Sequence, residues 1–422
     1  MDDGRKLEKI MVRFFPPGII LEFSDSYGEM DSKSIDLLNL SENSDIPYLV
    51  QQINEKEPLT IKHKDKIQKV IEKLIQVTSE KQTGKFRLKK TLQCHELPLT
   101  NCAFNKNGDK FITGSYDQTC IIWDTNSGNM LQKLQGHKNV VYSISFNLPF
   151  ADKVATGSFD QTAKIWNTED GKCLTTFKGH TAEIVCLAFD PTSTQLVTGS
   201  MDKTAILWNL ETEQKLYDIT SHEAEVISIS FNSDGDKILT GSFDHTAKVW
   251  DAYNCEEICS LNEHEGELSA CQFNFSGGMV VTGSIDKTCK LWDLRNPSKS
   301  LKTFIGHNDE IMDVCFNLSG TKIASGSSDS TARIYDVKSL STEYTLIGHS
   351  KEISRVVFDS RGNNLLTGSS DATCRIWNVE TGECKQVLDG HKEDIFSCAF
   401  NYDGDTIITA SKDNTCKIWS NK

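Results

Sequence analysis

GSFDHTAKVW, residues 241–250, contains Ser242, Asp244 and Trp250, and follows His222 closely in the chain. A serine, a histidine and an aspartate are the residue types of a hydrolase triad, so the stretch poses a choice between nucleophilic chemistry and a structural device. Recurrence decides it. His95, His137, His180, His222, His264, His307, His349 and His391 are spaced by 42 or 43 residues. Each is followed at fixed offsets by a Ser, an Asp, a Thr and an aromatic residue, the last being Trp123, Trp166, Trp208, Trp250, Trp292, Tyr335, Trp377 and Trp419. The second copy holds one extra residue, accounted for by the longer loop NLPFADK (147–153). A catalytic serine is needed once, on a strained turn beside an oxyanion hole, and no G-x-S-x-G phrase occurs. Eight copies predict scaffolding, not catalysis.

Within a copy the pattern is that of four short strands. VISISF (226–231) alternates, Asp234–Gly235 supplies a tight turn, and KILTGS (237–242), TAKVWD (246–251) and EEICSL (256–261) follow. Repeats of this length with a G-H…W-D signature resemble those of the WD-repeat family over residues 86–422. Cys94, Ser221 and Glu263 replace the glycine before His95, His222 and His264. The resemblance implies an all-β, eight-bladed WD-repeat β-propeller. It also implies that His222, Ser242, Asp244 and Trp250, with their counterparts, form a structural network running Trp to Ser to His to Asp, rewired in the sixth copy by Tyr335. The eighth copy has three strands, and FRLKKTL (86–92) looks like a fourth strand without a blade. Overlap closure of the kind propellers use makes 86–92 the closing strand of blade eight.

Residues 1–85 carry no repeat and read as a small α+β N-terminal domain. IILEF (19–23) and SIDLL (34–38) suggest a hairpin. Ile46, Leu49, Val50 and Ile53 share one helical face, as do Ile67, Val70, Ile71, Leu74 and Ile75. The apolar FFPPGIILEF (14–23) is expected to tie this domain to the ring.

Composition narrows the function. The formal charge of −14 argues against a sequence-independent grip on nucleic acid, which needs clustered cations. No apolar run approaches a membrane span and no signal sequence opens the chain, so neither a membrane nor secretion is expected. Fourteen cysteines are too dilute for a disulfide scaffold and lack the convergent pairs of a zinc site. Cys120, Cys289, Cys374 and Cys416 share a site that is alanine in the other copies, which asks for a small buried group. No metal and no cofactor are expected, and the compartment is expected to be reducing.

RFFPPGIILEF, SIDLLNL and repeat phrases such as GHTAEIVCL, TGSFDHT and SKDNTC together resemble the family of dynein assembly factors with WD repeat domains, across essentially the whole chain. That resemblance implies a monomeric, non-enzymatic adaptor linking outer-arm dynein subunits to the intraflagellar transport complex, in the cytoplasm, the cilium or flagellum and the basal body region. The alternative is a substrate receptor of a cullin-RING ubiquitin ligase, suggested by LWDLR (291–295), where Asp293 and Arg295 match a W-D-x-R phrase. Propellers bind partners mainly through the face made by the d–a loops and b–c turns. There, the residue between the repeated Ser and Asp is Tyr116, Phe159, Met201, Phe243 and Ile285 in five consecutive copies, then Ser328, Ser370 and Lys412. The position three after each histidine is Glu183, Glu225, Glu267, Glu310, Glu352 and Asp394 in copies three to eight. An apolar arc beside an acidic crown is expected to bind a partner with basic character.

Overall fold

The computed structural model describes residues 6–13, 17–24, 30–37, 40, 44–79 and 84–422. The chain divides into two compact units, Met1–Thr83 and Gly84–Lys422.

The larger unit is built from eight four-stranded antiparallel sheets. In blade four, strand a is Val226–Phe231, strand b Lys237–Ser242, strand c Ala247–Asp251 and strand d Glu257–Leu261. Strand b is buried over its last five residues, because both faces of each sheet are covered by neighbouring sheets and the run can be continuously apolar. The hydrophobic cores lie between blades. Trp250 packs with Val197, Ala205 and Leu207 of blade three, and the same arrangement recurs around the unit. Blade eight meets blade one in the same way: Ile408, Ala410, Cys416 and Ile418 pack with Leu99, Phe111 and Trp123. The ring is therefore closed, with no unpartnered sheet face. Close approach between blades explains the Gly in T-G-S: a Cβ on Gly283 would lie 2.8 Å from Val314 and 2.9 Å from Ile311 of the next blade.

At the seam, Arg87–Leu92 pairs antiparallel with Cys416–Ser420, placing Leu92 opposite Cys416 and Arg87 opposite Ser420. The Gln386 side-chain amide brackets the start of this strand. It accepts from the Phe86 N–H at 2.9 Å and donates to the Phe86 carbonyl at 2.6 Å.

Among the described residues, the smaller unit has three strands, β1 (Lys6–Arg13), β2 (Gly18–Ser24) and β3 (Met30–Asp36), two α-helices, α1 (Ile46–Lys56) and α2 (Lys64–Ser79), and a short 3-10 helix between them (Pro58–His63). Its sheet is antiparallel in the order β1-β2-β3. β1, KLEKIMVR, is not apparent in the sequence because its charged residues break the alternation and its apolar side chains are only partly buried. The Asp45 carboxylate caps α1 by accepting the Tyr48 N–H at 3.1 Å. Val50, Ile53, Ile67, Ile71 and Leu74 converge with Ile19, Leu21 and Phe23 of β2 in one core. Of the stretch expected to tie this unit to the ring, Ile19, Leu21 and Phe23 are buried in this unit's own core, Ile20 and Glu22 are half-buried, and residues 14–16 lie outside the described residues. Leu38, the last residue of SIDLL, also lies outside them.

No helix among the described residues is long and apolar enough to cross a membrane. All fourteen cysteines are free thiols, and Cys120, Cys289, Cys374 and Cys416 are buried at the start of strand c.

Candidate functional site

In all eight blades the histidine enters from the d–a loop and the aspartate from the b–c turn, with Nδ1 2.7–3.0 Å from the carboxylate. The other ring nitrogen lies 2.7–2.9 Å from a strand-b hydroxyl. That hydroxyl is not the expected serine. In blade four it belongs to Thr240, which also accepts the Trp250 indole N–H at 2.9 Å. Ser242, two residues on, donates to the Ala224 carbonyl and accepts the Asp244 N–H. The network therefore runs Trp250 to Thr240 to His222 to Asp244, and Ser242 pins the turn beside it.

Chemistry fixes the direction of this chain. An ionised carboxylate only accepts, so His222 carries its proton on Nδ1 and Nε2 must receive the Thr240 hydroxyl proton. The Thr240 oxygen is then free to accept from the indole, and each bond polarises the next. Ser242 is fully buried and its hydroxyl is not aligned with the imidazole, so the set does not form a nucleophile with its base. In blade six Ser325 replaces the threonine and accepts from the Tyr335 hydroxyl at 3.0 Å, which preserves the direction with a phenol in place of an indole. The Asp244 carboxylate also accepts the Glu223 and Thr246 N–H groups and the Thr246 hydroxyl. These bonds hold His245 at φ 73°, and the equivalent residue of every b–c turn lies between 66° and 73°, a left-handed conformation costing about 1–2 kcal/mol for a non-glycine residue.

Both ends of the network resist acid. Burial lowers the His349 pKa from its ordinary value, outweighing the Asp371 bond that would raise it, and His222 and His307 behave alike. Burial alone would raise Asp371, but hydrogen bonds from Thr373 and His349 hold it down at about 2. For groups depressed in the folded state, stability is fully present above the unfolded pKa and lost as pH falls. The melting temperature should therefore be level above about pH 7, decline below about 6.5 as His222, His307 and His349 protonate, and fall again below about 4 as the aspartates follow. A melting series from pH 8 to 3 checks this, and a flat profile between 7 and 5 contradicts it.

The same loops build the upper face. The turn residue of each blade donates its N–H to the carbonyl of the residue three after the histidine, at 2.9–3.0 Å. Phe243 is thereby tied to Glu225, Met201 to Glu183 and Ile285 to Glu267, so the arc and the crown are one surface. Three sectors differ. In blades one and two the crown position is Pro98 and Val140, and the side chains above are Tyr116, 38% exposed, and the half-buried Phe159. In blades three to six, among the described residues, the carboxylates of Glu183, Glu225, Glu267 and Glu310 accept no hydrogen bond and form no ion pair. In blades seven and eight Glu352 accepts from the Ser370 hydroxyl, and Asp394 pairs with Lys412 at 3.4 Å.

Sequence reasoning missed Tyr142. Strand a of blade two has a bulge there: Val141 opposes Ser158 and Ser143 opposes Gly157, leaving Tyr142 unpaired. The bulge turns its ring onto Phe159, stacked at 5.4 Å, with 43% of the residue exposed. Elsewhere, the Arg295 guanidinium of the W-D-x-R phrase lies across its own Asp293, at 2.6 Å.

Residues 98–295 match the family model described as the IFT122 first beta-propeller, and 298–336, 340–378 and 382–420 match the WD domain, G-beta repeat. The chain is 56% identical over 190 residues to the human protein called dynein assembly factor with WD repeat domains 1, and 57% identical over 190 residues to its Xenopus laevis counterpart. Each match covers 45% of this chain and 46% of the relative, so the matched segment spans about half the length of these curated relatives. The crystal structure of the computationally designed Ika8 protein is 28% identical, with a TM-score of 0.70 over 78% of this chain and 98% of that one.

Proposed function

We propose that this WD-repeat β-propeller is a non-enzymatic adaptor in dynein assembly. It would join outer-arm dynein subunits to the intraflagellar transport complex, acting as a monomer in the cytoplasm, the cilium or flagellum and the basal body region. The observation that carries the reading is the identity, above half over 190 residues, with dynein assembly factors of two vertebrates. The match of residues 98–295 to an IFT122-type propeller model adds support for the transport side.

The contact surface in this reading is the upper face. Tyr116, Phe159, Met201, Phe243 and Ile285 supply apolar anchors, while Glu183, Glu225, Glu267, Glu310, Glu352 and Asp394 supply the acidic field. Aromatic anchors set residence time, and unpaired carboxylates raise the encounter rate of a basic partner. Phe159→Ala combined with Phe243→Ala is expected to reduce capture of outer-arm dynein from ciliated-cell extract about tenfold or more, without lowering the melting temperature by more than a few degrees. Neither ring belongs to an interblade core, so folding should tolerate the change. Undiminished capture by the folded double variant removes this face from the proposal. Capture by the wild type should also weaken as salt rises.

A further inference from the structure

In blades one to seven strands c and d are consecutive, and a turn of four or five residues (eight in blade five) closes the corner between them on the lower face. In blade four that turn is held by the Cys255 N–H donating to the Asp251 carbonyl at 2.9 Å. Blade eight has no such turn, because its strand c is Cys416–Ser420 and its strand d is Arg87–Leu92. The corner is left as a cavity of about 240 Å³ whose wall includes Arg87, Lys89 and Lys422, with the Thr406 and Ser420 side of strands b and c behind them.

The charge at this corner runs against the rest of the molecule. The chain carries −14 overall, yet RLKKTL holds three cations in six residues. Leu131, Leu174, Leu216 and Ile258 occupy the strand-d bulge in blades one to four, Glu343 and Lys385 occupy it in blades six and seven, and Lys89 occupies it here; of the two lysines, Lys385 is engaged by the Asn364 side chain. Two neighbouring cations are already engaged: Lys90 donates to the Ser127 and Gly128 carbonyls at 2.9 Å, and Lys422 pairs with Asp405 at 2.5 Å. Among the described residues, the Arg87 guanidinium and Lys89 ammonium donate no hydrogen bond and form no ion pair, although Lys89 is close enough to the Asp124 carboxylate to favour its ionised form. Leu88, 46% exposed, separates them with an apolar contact.

We infer that this seam corner binds an acidic peptide segment of a protein partner, seating one of its carboxylates between Arg87 and Lys89. The volume is below the range of about 300–1,000 Å³ of small-molecule pockets, and suits one acidic side chain. Arg87–Leu92 is also an outer strand with an open edge, which can pair with an extended peptide backbone and gives a peptide an advantage over nucleic acid. A long polyanion would moreover meet the acidic remainder of the ring. The site lies on the face opposite the histidine–aspartate turns, so an adaptor could hold a basic partner above and an acidic one below. This inference does not depend on which partner the upper face takes.

Fluorescence polarisation of a fluorescein-labelled octaglutamate peptide against the full-length protein tests it, at low and at physiological salt. Binding should be measurable at low salt and weaken as salt rises. Arg87→Glu with Lys89→Glu should weaken it by about tenfold or more, whereas Glu225→Gln with Glu267→Gln on the upper face should leave it unchanged. Should the charge reversal lower the melting temperature, Arg87→Gln with Lys89→Gln replaces it and should weaken binding in the same direction. Equal affinity in the charge variants overturns the site, as does absence of binding by the wild type. Stronger displacement by a thymidine octamer than by unlabelled octaglutamate overturns the assignment to a peptide. Undiminished dynein capture by the Phe159→Ala with Phe243→Ala variant, with octaglutamate binding intact, would count against the upper face alone.

Discussion

Replacing Thr240 by valine should destabilise the protein by about 2–4 kcal/mol, more than Ser242→Ala at about 1–2 kcal/mol. Valine keeps the volume and β-branching of threonine, so the fully buried site stays filled and the loss reports the hydroxyl alone. Two buried groups are orphaned together, the Trp250 indole N–H at 2.9 Å and the His222 Nε2 at 2.7 Å. Ser242→Ala removes the acceptor of one backbone N–H and the donor to one carbonyl. Thr240→Ser should recover most of the loss, since blade six uses serine at this position naturally, in Ser325. Urea midpoints of the three variants, with hydrogen exchange of blade four to localise the change, give the ranking. If Thr240→Val matches the wild type while Ser242→Ala does not, the relay runs through the serine after all.

The reason the sequence points to the wrong hydroxyl is instructive. Thr or Ser at the Thr240 position is as periodic as the serine two residues later, so spacing cannot separate them. Register does. Trp250 stands opposite Ile238 and Lys248 opposite Thr240, so the indole reaches along strand b to the next side chain on its own face. One clue is present in the sequence: the single copy that replaces this threonine, at Ser325, is also the single copy that replaces the tryptophan, at Tyr335. Two substitutions confined to the same repeat imply that the groups touch. The blade count and strand order are legible because each copy repeats the same hydrophobic alternation and turn chemistry. Tyr142 is not legible, because a bulge re-aims one side chain without leaving a mark on the local pattern. The polarity of the upper face lies between these cases. Its residue types can be read off, but only the side-chain geometry separates Glu352 and Asp394, engaged by Ser370 and Lys412, from Glu183 and Glu225.

Deleting residues 1–80 should leave the melting temperature of the ring within a few degrees of the full chain, whereas deletion through residue 92 should lower it by about 6–12 °C. The difference is the seam strand. Phe86 and Leu92 are 8% and 4% exposed, and withdrawing two such side chains from interblade cores costs about 3–6 kcal/mol. For a unit of this size each kcal/mol corresponds to about 2 °C. Lost pairing adds to this, because Cys416, Ile418 and Trp419 currently face Leu92, Lys90 and Leu88 and would become an open edge prone to association. The Gln386 amide would also lose both of its bonds to Phe86. A synthetic peptide spanning residues 84–92, added in trans to the shorter ring, separates this account from a general effect of truncation. It should restore the melting temperature in a saturable manner, and a peptide with Phe86 and Leu92 replaced by serine should not. Equal melting of the two deletions, or no response to the peptide, would show that blade eight holds its edge without the strand and that the ring is closed by interblade packing alone.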